Sequence, residues 1–592
     1  MITELLLVFT PFIAAISPIQ IGMFVAYSLG LIAISFAFKK LNKDSDDYFR
    51  AGCQGSWWLV GMSSYMMSFS AYTFTGLAGV AYEAGFSAWT QFFGNIIGFA
   101  LAGLFAAAWL RQLRVTTPAE VVRDRFGNVT EQLYSWHGAL FGLLYSGLTL
   151  FGVSIFTSTV FGFDIQVMIL MIGVTVVVYS LVGGRWAVMG TDFAQGMILV
   201  AITFLAGFLA LDYIGGIDGL IAAIKDSGLE KDFELIKAQA DPEKFSGDPR
   251  KYTAPWVVAS VFALTIQRLS ISSAPHYFSA RDGKHARGAA WFVCIMMIAS
   301  TLIFFIPSMV ARLEFSHIVD AVNIGKPAEA SYAVICMELL PESLMGLMLI
   351  AIIAATMSAM DSGLNQQAAV VIKNIYPAVC RLMKWELLQG KKLLLLGQAT
   401  TLVAGVIIIL LALYFSNVEG QGSFEQLLEI GALIGVPMWP PILLALFMKK
   451  PPSYAGLVSI GAGFILSIST KSMALSYDWR VFLTFCIGAI SFYLTRFLPA
   501  DPKIIQARIQ EFYQRMYTPV DFDKEVGSLD GVRSQAKVLS IVACVVGLLI
   551  FSLCFITEGW GWNGKMGILA ITVVCLSIGA LLAFYSKSLR KH

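Results

Sequence analysis

Asp361 is the residue that most needs a chemical reason. It closes the run GLMLIAIIAATMSAMDSGLNQQ, in which an uncharged apolar stretch passes directly into hydroxyls, a carboxylate and amides. At 100° per residue, positions Ala354, Ser358, Asp361 and Asn365 fall within about 60° of one another with Ser362 beside them, so one helix face carries oxygen. An acid at mid-membrane costs on the order of 3 kcal/mol, and each Leu, Ile or Val returns only about 0.3–0.6 kcal/mol. The run from Leu344 to Ile353 can offset that cost without explaining why the charge is kept. A second carboxylate, Asp192 in GGRWAVMGTDFAQG, lies just inside another apolar run beside Thr191. Three chemistries compete: a hydrated helix end, as Lys373 further along would be; two aspartates sharing a proton to activate water; and a small hard cation such as Na+ held by carboxylate, hydroxyl and backbone oxygens. The local sequences Met-Asp-Ser and Thr-Asp-Phe lack the motifs expected of the second, and hydroxyls one helical turn apart suit the third best.

The elements that must position these groups are membrane helices. The chain has 592 residues, of which 57% are hydrophobic and 13% charged, with 52 glycines and a formal charge of +3. That composition describes a polytopic, all-α membrane protein with no sizeable soluble domain. Roughly 20 apolar residues cross a bilayer, and about fifteen such runs are present, beginning at roughly 18, 56, 87, 131, 165, 187, 255, 289, 332, 393, 424, 453, 479, 536 and 564. The small net charge argues for neither a nucleic acid nor an acidic partner. The eight cysteines form no CxxC pair, which argues against a zinc site or a disulfide scaffold. The lack of a GxxxxGK[ST] loop disfavours an ATP-driven pump, and the N-terminal run lacks the basic flank of a cleaved signal peptide.

Basic connections such as RQLRVTTPAEVVRDRFG (111–127), SARDGKHARG (279–288), KNIYPAVCRLMKWELLQGKK (373–392) and the tail KSLRKH alternate with neutral or acidic ones such as 214–254 and 314–330. By the positive-inside rule this puts the N-terminus outside and the C-terminus in the cytoplasm, and the expected location is the plasma (inner) membrane.

Two spans carry signs of a break. GMSSYMMSFSAYTFTGLAG (61–79) and QRLSISSAP (267–275) crowd small hydroxylated residues around Gly or Pro at membrane depth. Irregular backbone survives there only when buried or lining a cavity, and a pair of such breaks in corresponding halves points to an inverted repeat around a midplane site. Candidate solute contacts are Ser70, Tyr72, Thr73, Gln91, Asn95, Ser270, Ser272 and Ser273. The alternative is that these groups glue helices together.

Taken in order, DDYFRAGCQGSWW (46–58), TTPAEVVRDRFG (116–127), GGRWAVMGTDFAQ (183–195), FSARDGKHARGA (278–289) and LPESLMGLMLIAIIAATMSAMDSGLN (340–365) resemble motifs of the sodium/solute symporter family, from about residue 18 to about 450. The resemblance implies a LeuT-type fold, five helices repeated in inverted orientation with extra helices around them. The expected domains are a lead with the first span (1–54), the LeuT-type core (55–450), and peripheral C-terminal helices (451–592) with a cytoplasmic loop (499–535). The stretch IIQARIQEFYQRM in that loop reads as an amphipathic helix on the membrane surface.

The resemblance also implies ligands for Na+. The family's conserved site would use carbonyls at Met66 and Phe69 and the positions Ala355, Ser358 and Ala359, where Ala359 replaces a usual second hydroxyl. A second site would use Asp192, Ser358, Asp361 and Ser362, its added carboxylate compensating in part for Ala359. In sugar carriers of the family, a carboxylate and a glutamine occupy positions matched here by Phe92 and Leu428, with Gln91 and Glu429 adjacent, so the familiar galactose site is not reproduced. The implied activity is sodium-coupled import, by alternating access, of a small polar organic solute: a sugar, a sugar acid or another organic anion. Its partners would be the solute, one or two sodium ions and the bilayer, with no enzymatic activity, nucleic acid or obligate protein partner. A non-transporting solute sensor on the same fold is the alternative.

Overall fold

A computed structural model describes residues 51–161, 163–180, 185–239, 250–270, 274–324, 326–418, 423–473, 475–527, 530–556 and 562–588. The expected first span lies outside the described residues.

The second expected span is broken where its sequence is richest in hydroxyls. Helix α1 (Trp57–Met66) ends as Ser68 Oγ turns back to the Ser64 carbonyl at 3.1 Å and Phe69 N–H donates to the Met66 carbonyl at 3.1 Å. Such local bonds offer the backbone an alternative to the helix ladder. Ser70 is extended (φ −150, ψ 177) before α2 (Ala71–Phe74), and Thr75 (φ −126, ψ −78) separates α2 from α3 (Gly76–Ala84). Helix α4 (Trp89–Leu101) follows. Helix α5 (Pro118–Phe126) starts from Thr117, whose side chain accepts from Glu120 N–H, with Pro118 at the first helical position. The long α6 (Asn128–Phe161), α7 (Ile165–Ser180) and α8 (Arg185–Tyr213) complete the first half.

The second half begins with another broken span. Helix α9 (Ala254–Leu269) stops at extended Ser270 (φ −76, ψ 167), whose hydroxyl donates to the Gln267 carbonyl at 2.8 Å, and α10 (Ala274–Phe278) follows. Helix α11 (Gly283–Ile303) is capped by Asp282. The ninth span differs from expectation. A start near 332 was expected, but α12 (Ser331–Leu339) ends at extended Leu340, and the long helix α13 runs from Glu342 to Val370 (Glu342–Val370). Pro341 forces this boundary, because the residue before a proline is driven out of the helical region. Then come α14 (Gly390–Ser416), α15 (Ser423–Ile430) and α16 (Trp439–Phe447), the last two joined through a wide turn at Gly431–Gly435.

Then follow α17 (Ala455–Ser472), α18 (Tyr477–Leu494), α19 (Lys503–Tyr517), α20 (Asp530–Ile556) and α21 (Trp562–Ser588). Among the described residues, 11 helices are long and apolar enough to cross a membrane, and Ile165–Val177 and Leu344–Met360 are shorter apolar helices. Of the about fifteen expected, one lies outside the described residues, and the broken second span merges with the third into the run Ala71–Gln112.

Helix α19 corrects a second expectation. Its apolar stripe of Ile509, Phe512, Tyr513 and Met516 is buried in the protein rather than offered to lipid. Tyr513 O–H reaches the carbonyls of Ala445 and Met448 at 2.6 and 2.8 Å, and Arg515 pairs with Asp124 at 2.9 Å. The amphipathic reading was right, but the partner of the stripe is the end of the bundle.

Candidate functional site

Asp192 on α8 is 0% exposed and accepts two hydroxyl hydrogen bonds from two other helices. Ser63 Oγ on α1 donates to Oδ2 at 2.6 Å, and Ser358 Oγ on α13 donates to Oδ1. One carboxylate therefore joins the broken first helix of the repeat, its fifth helix and α13. Burying a carboxylate is costly unless it is hydrogen-bonded and neutralised. The groups assembled here are all oxygens, a donor set that suits a hard monovalent cation better than a soft metal. Among the described residues, no cluster of three His, Cys, Asp or Glu forms a transition-metal centre. Ser63 was not among the expected residues; it lies in the hydroxyl-rich stretch 61–79, where nothing in the spacing sets it apart from its neighbours.

The backbone break lies against α13. Thr356 Oγ1 accepts the Ala71 N–H at 3.2 Å and donates to the Ile352 carbonyl at 3.0 Å, so it holds the first turn after the break. Met66, Phe69 and Ala355 are fully buried, and Ala359 lines the cavity described below. Asp361 and Ser362 fall on α13, and their side chains lie outside the described residues, as do Ser272 and Ser273.

A cavity of about 360 Å³ lies beside this cluster. Ser70, Tyr72, Thr73, Gln91, Asn95 and Ser270 all line it, so both broken spans and α4 meet there. Phe92 and Leu428 line it as well, whereas Glu429 turns away to pair with Arg480 at 2.7 Å and Lys471 at 2.9 Å. On α6 the lining residues run from Tyr134 to Ser146, near its start, and on α13 from Ala359 to Val370, near its end. The cavity therefore extends toward the end of the bundle that carries the basic connections 111–127 and 373–392.

Arg268, near the end of α9, was also missed. It lines the cavity, its Nε donates to Asn95 Oδ1 at 2.6 Å, and its guanidinium sits 5.5 Å from the Phe99 ring centroid. Glycines bring α4 and α9 this close: a Cβ at Gly98 would stand 2.6 Å from Arg268 Cβ, and one at Gly94 would stand 2.6 Å from Leu264 Cβ. Helices in a membrane pack most tightly at such small residues.

The opposite end of the bundle is closed by charge. Lys326 Nζ lies 2.9 Å from Glu83 Oε2 and 2.9 Å from Glu425 Oε1, and Lys251 Nζ lies 2.7 Å from the same Glu425 oxygen. Burial pulls the Lys326 ammonium down, but Glu425, Glu83 and Glu329 outweigh it and hold its pKa above the usual lysine range. These residues come from α3, α15 and two connections, which are thereby tied together over the cavity.

Comparisons with known proteins bear on the family and the fold. The family model described as the sodium:solute symporter family matches residues 48–463. The chain is 25% identical over 517 residues to a sodium/glucose cotransporter of Vibrio parahaemolyticus, covering 83% of this chain and 92% of that one. It is 24% identical over 501 residues to a sodium/myo-inositol cotransporter of Canis lupus familiaris, covering 78% and 68%. Among solved structures, a Na+-coupled sialic acid symporter in a substrate-bound outward-open state superposes with a TM-score of 0.68 at 20% identity, covering 82% of this chain and 98% of that one. That likeness shows the fold, which is the LeuT-type five-plus-five repeat.

Proposed function

The chain belongs to the sodium:solute symporter family, with Na+ as its coupling ion, and from that premise we propose that it imports a small polar organic solute by alternating access. The observation that carries this reading is the convergence of Ser63, Asp192 and Ser358 beside a cavity lined by both broken spans. Residues 55–450 form the transport core, and the later helices are peripheral to it. The N-terminus faces outside and the C-terminus the cytoplasm, so the charge cluster closes the outer end while the cavity faces inward.

Na+ would be held in one or two sites. The Met66 and Phe69 carbonyls with Ala355, Ser358 and Ala359 offer the first. Asp192, Ser358, Asp361 and Ser362, joined by Ser63, offer the second. A ligand shifts a conformational equilibrium only by its differential affinity for the two states. An ion bound between α1, α8 and α13 favours the arrangement in which those helices keep their oxygens together, and that preference couples its gradient to the solute. The relatives act on glucose and myo-inositol by name, which supports a polyhydroxylated solute.

The test is uptake into proteoliposomes under an inward Na+ gradient, with K+ or choline substituted for Na+ as control. Concentrative, Na+-dependent uptake supports the reading. Solute binding with no flux under any gradient would instead favour a non-transporting sensor.

A further inference from the structure

We infer that the solute carries a carboxylate, that Arg268 receives it, and that the transported class is a hydroxylated organic acid rather than a neutral sugar. This inference rests on the symporter reading of the same cavity. Its first support is the isolation of the charge. Arg268 is the one Lys or Arg among the described residues lining the cavity, and no Asp or Glu is among them. Its Nε is taken by Asn95, and no hydrogen bond or ion pair with the described residues occupies its two terminal nitrogens. The neighbours that feel its charge are the Tyr145 and Tyr277 phenols, which supply no anion at neutral pH. An arginine inside a membrane bundle normally pairs with an acid or lines a functional pathway. Here the protein supplies a cavity in place of the acid.

The second support is preorganisation. Asn95 donates through Nδ2 to the Gln91 carbonyl at 2.9 Å and accepts the Arg268 Nε–H through Oδ1. This fixes the guanidinium plane from its Nε edge and leaves the terminal nitrogens for a ligand. A planar fork of that kind matches a carboxylate in bidentate fashion, which no hydroxyl can imitate.

The third support comes from two buried donors with no partner among the described residues. Gln91 is 5% exposed and Gln367 is 6% exposed, both line the cavity, and the Nε2 of each has no hydrogen-bond partner there. An unsatisfied buried donor costs free energy that a ligand oxygen would recover. A cation and two amide donors around one cavity together describe an anion with further oxygens.

The test is equilibrium binding by the purified full-length protein in about 100 mM NaCl or choline chloride, where the Debye length is about 10 Å, read as a thermal shift. The probes are paired compounds: glucose with glucuronate, galactose with galacturonate, and glyceraldehyde with glycerate. At least one acid should bind about 10- to 100-fold more tightly than its neutral partner, the range expected for a charge-assisted contact. That preference should vanish in Arg268→Gln. Asn95→Asp should abolish it too, because it places a carboxylate beside the guanidinium, although it forfeits the Asn95 donor to the Gln91 carbonyl; retained binding of Na+, read as a Na+-dependent thermal shift, separates loss of the site from loss of the fold. Binding confined to neutral members, binding by no acid of the panel, or an acid preference that persists in Arg268→Gln would each overturn the inference. Acid binding without Na+-driven flux would overturn the transport reading and leave this one standing.

Discussion

Ser63 Oγ lies 2.6 Å from Asp192 Oδ2, a hydrogen bond that ties the first broken helix of the repeat to the carboxylate of its fifth helix. With Ser358 on the other carboxylate oxygen, the acid is gripped from two sides, and neither serine can move away without exposing it to unfavourable burial. Helix α1 therefore cannot tilt away from α8 and α13 without breaking these hydrogen bonds, and with Na+ held there as proposed that constraint would couple the ion to the helix movement.

Ser63→Ala should leave Asp192 short of one donor. Such a loss costs about 1–3 kcal/mol, so the Na+ concentration for half-maximal uptake should rise about 5- to 100-fold. Titration of uptake against Na+ in proteoliposomes measures this, and an unchanged midpoint would place the ion elsewhere.

Glu425→Gln should destabilise the end of the bundle closed by charge. It removes the shared partner of Lys251 and Lys326, and stripping one member from a buried ion pair costs about 3–5 kcal/mol. The thermal midpoint should fall by several degrees, whereas Glu425→Asp should fall by less; equal effects would show that charge is not what holds this end.

Gly98→Ala should be destabilising although it adds one methyl group. The new Cβ would stand 2.6 Å from Arg268 Cβ and 3.0 Å from the Thr265 carbonyl, neither of which is the far end of a flexible chain. Overpacking of this kind costs about 1–3 kcal/mol, and here it would also push Arg268 off Asn95. Both the melting temperature and solute affinity should drop.

Acid should weaken the start of α11. Burial raises the Asp282 pKa, but the side-chain and backbone hydrogen bonds with His285 outweigh it and hold the carboxyl at about 2. A depressed carboxylate contributes stability above its ordinary value near 3.8, and that contribution is lost as pH falls from about 4 through about 2. Melting temperatures recorded from pH 5 to pH 3 should fall more steeply for the parent than for Asp282→Ala, which starts lower and has no such group to protonate.

The sequence made some of this legible, and the reasons are physical. Asp192 and Ser358 could be paired in advance because the resemblance to the symporter family implies a shared ion site; an acid in an apolar run by itself says only that a partner is needed. The breaks at Met67–Ser70 and at Ser270 announced themselves through clustered serines, which compete with the helix ladder. Ser63, Thr356 and Arg268 were not legible. One hydroxyl among the several of 61–79, or Thr356 alone in its helix, reads as packing, and Arg268 lies beside serines that already account for a polar stretch. The cluster of Glu83, Lys251, Lys326 and Glu425 draws on four stretches far apart in the chain, so only folding reveals it. The start of α13 was misplaced because Pro341 outranked the continuity of apolar residues, and the stripe of α19 was assigned to lipid because amphipathicity names a buried face without naming what buries it.

The most direct measurement is the Na+ activation of solute uptake by the parent and by Asp192→Ala in the same proteoliposomes. A carboxylate that ligates the coupling ion predicts a large rise in the Na+ requirement, or a loss of Na+ activation, with solute binding at saturating Na+ retained. Overlapping activation curves for the two proteins would contradict it.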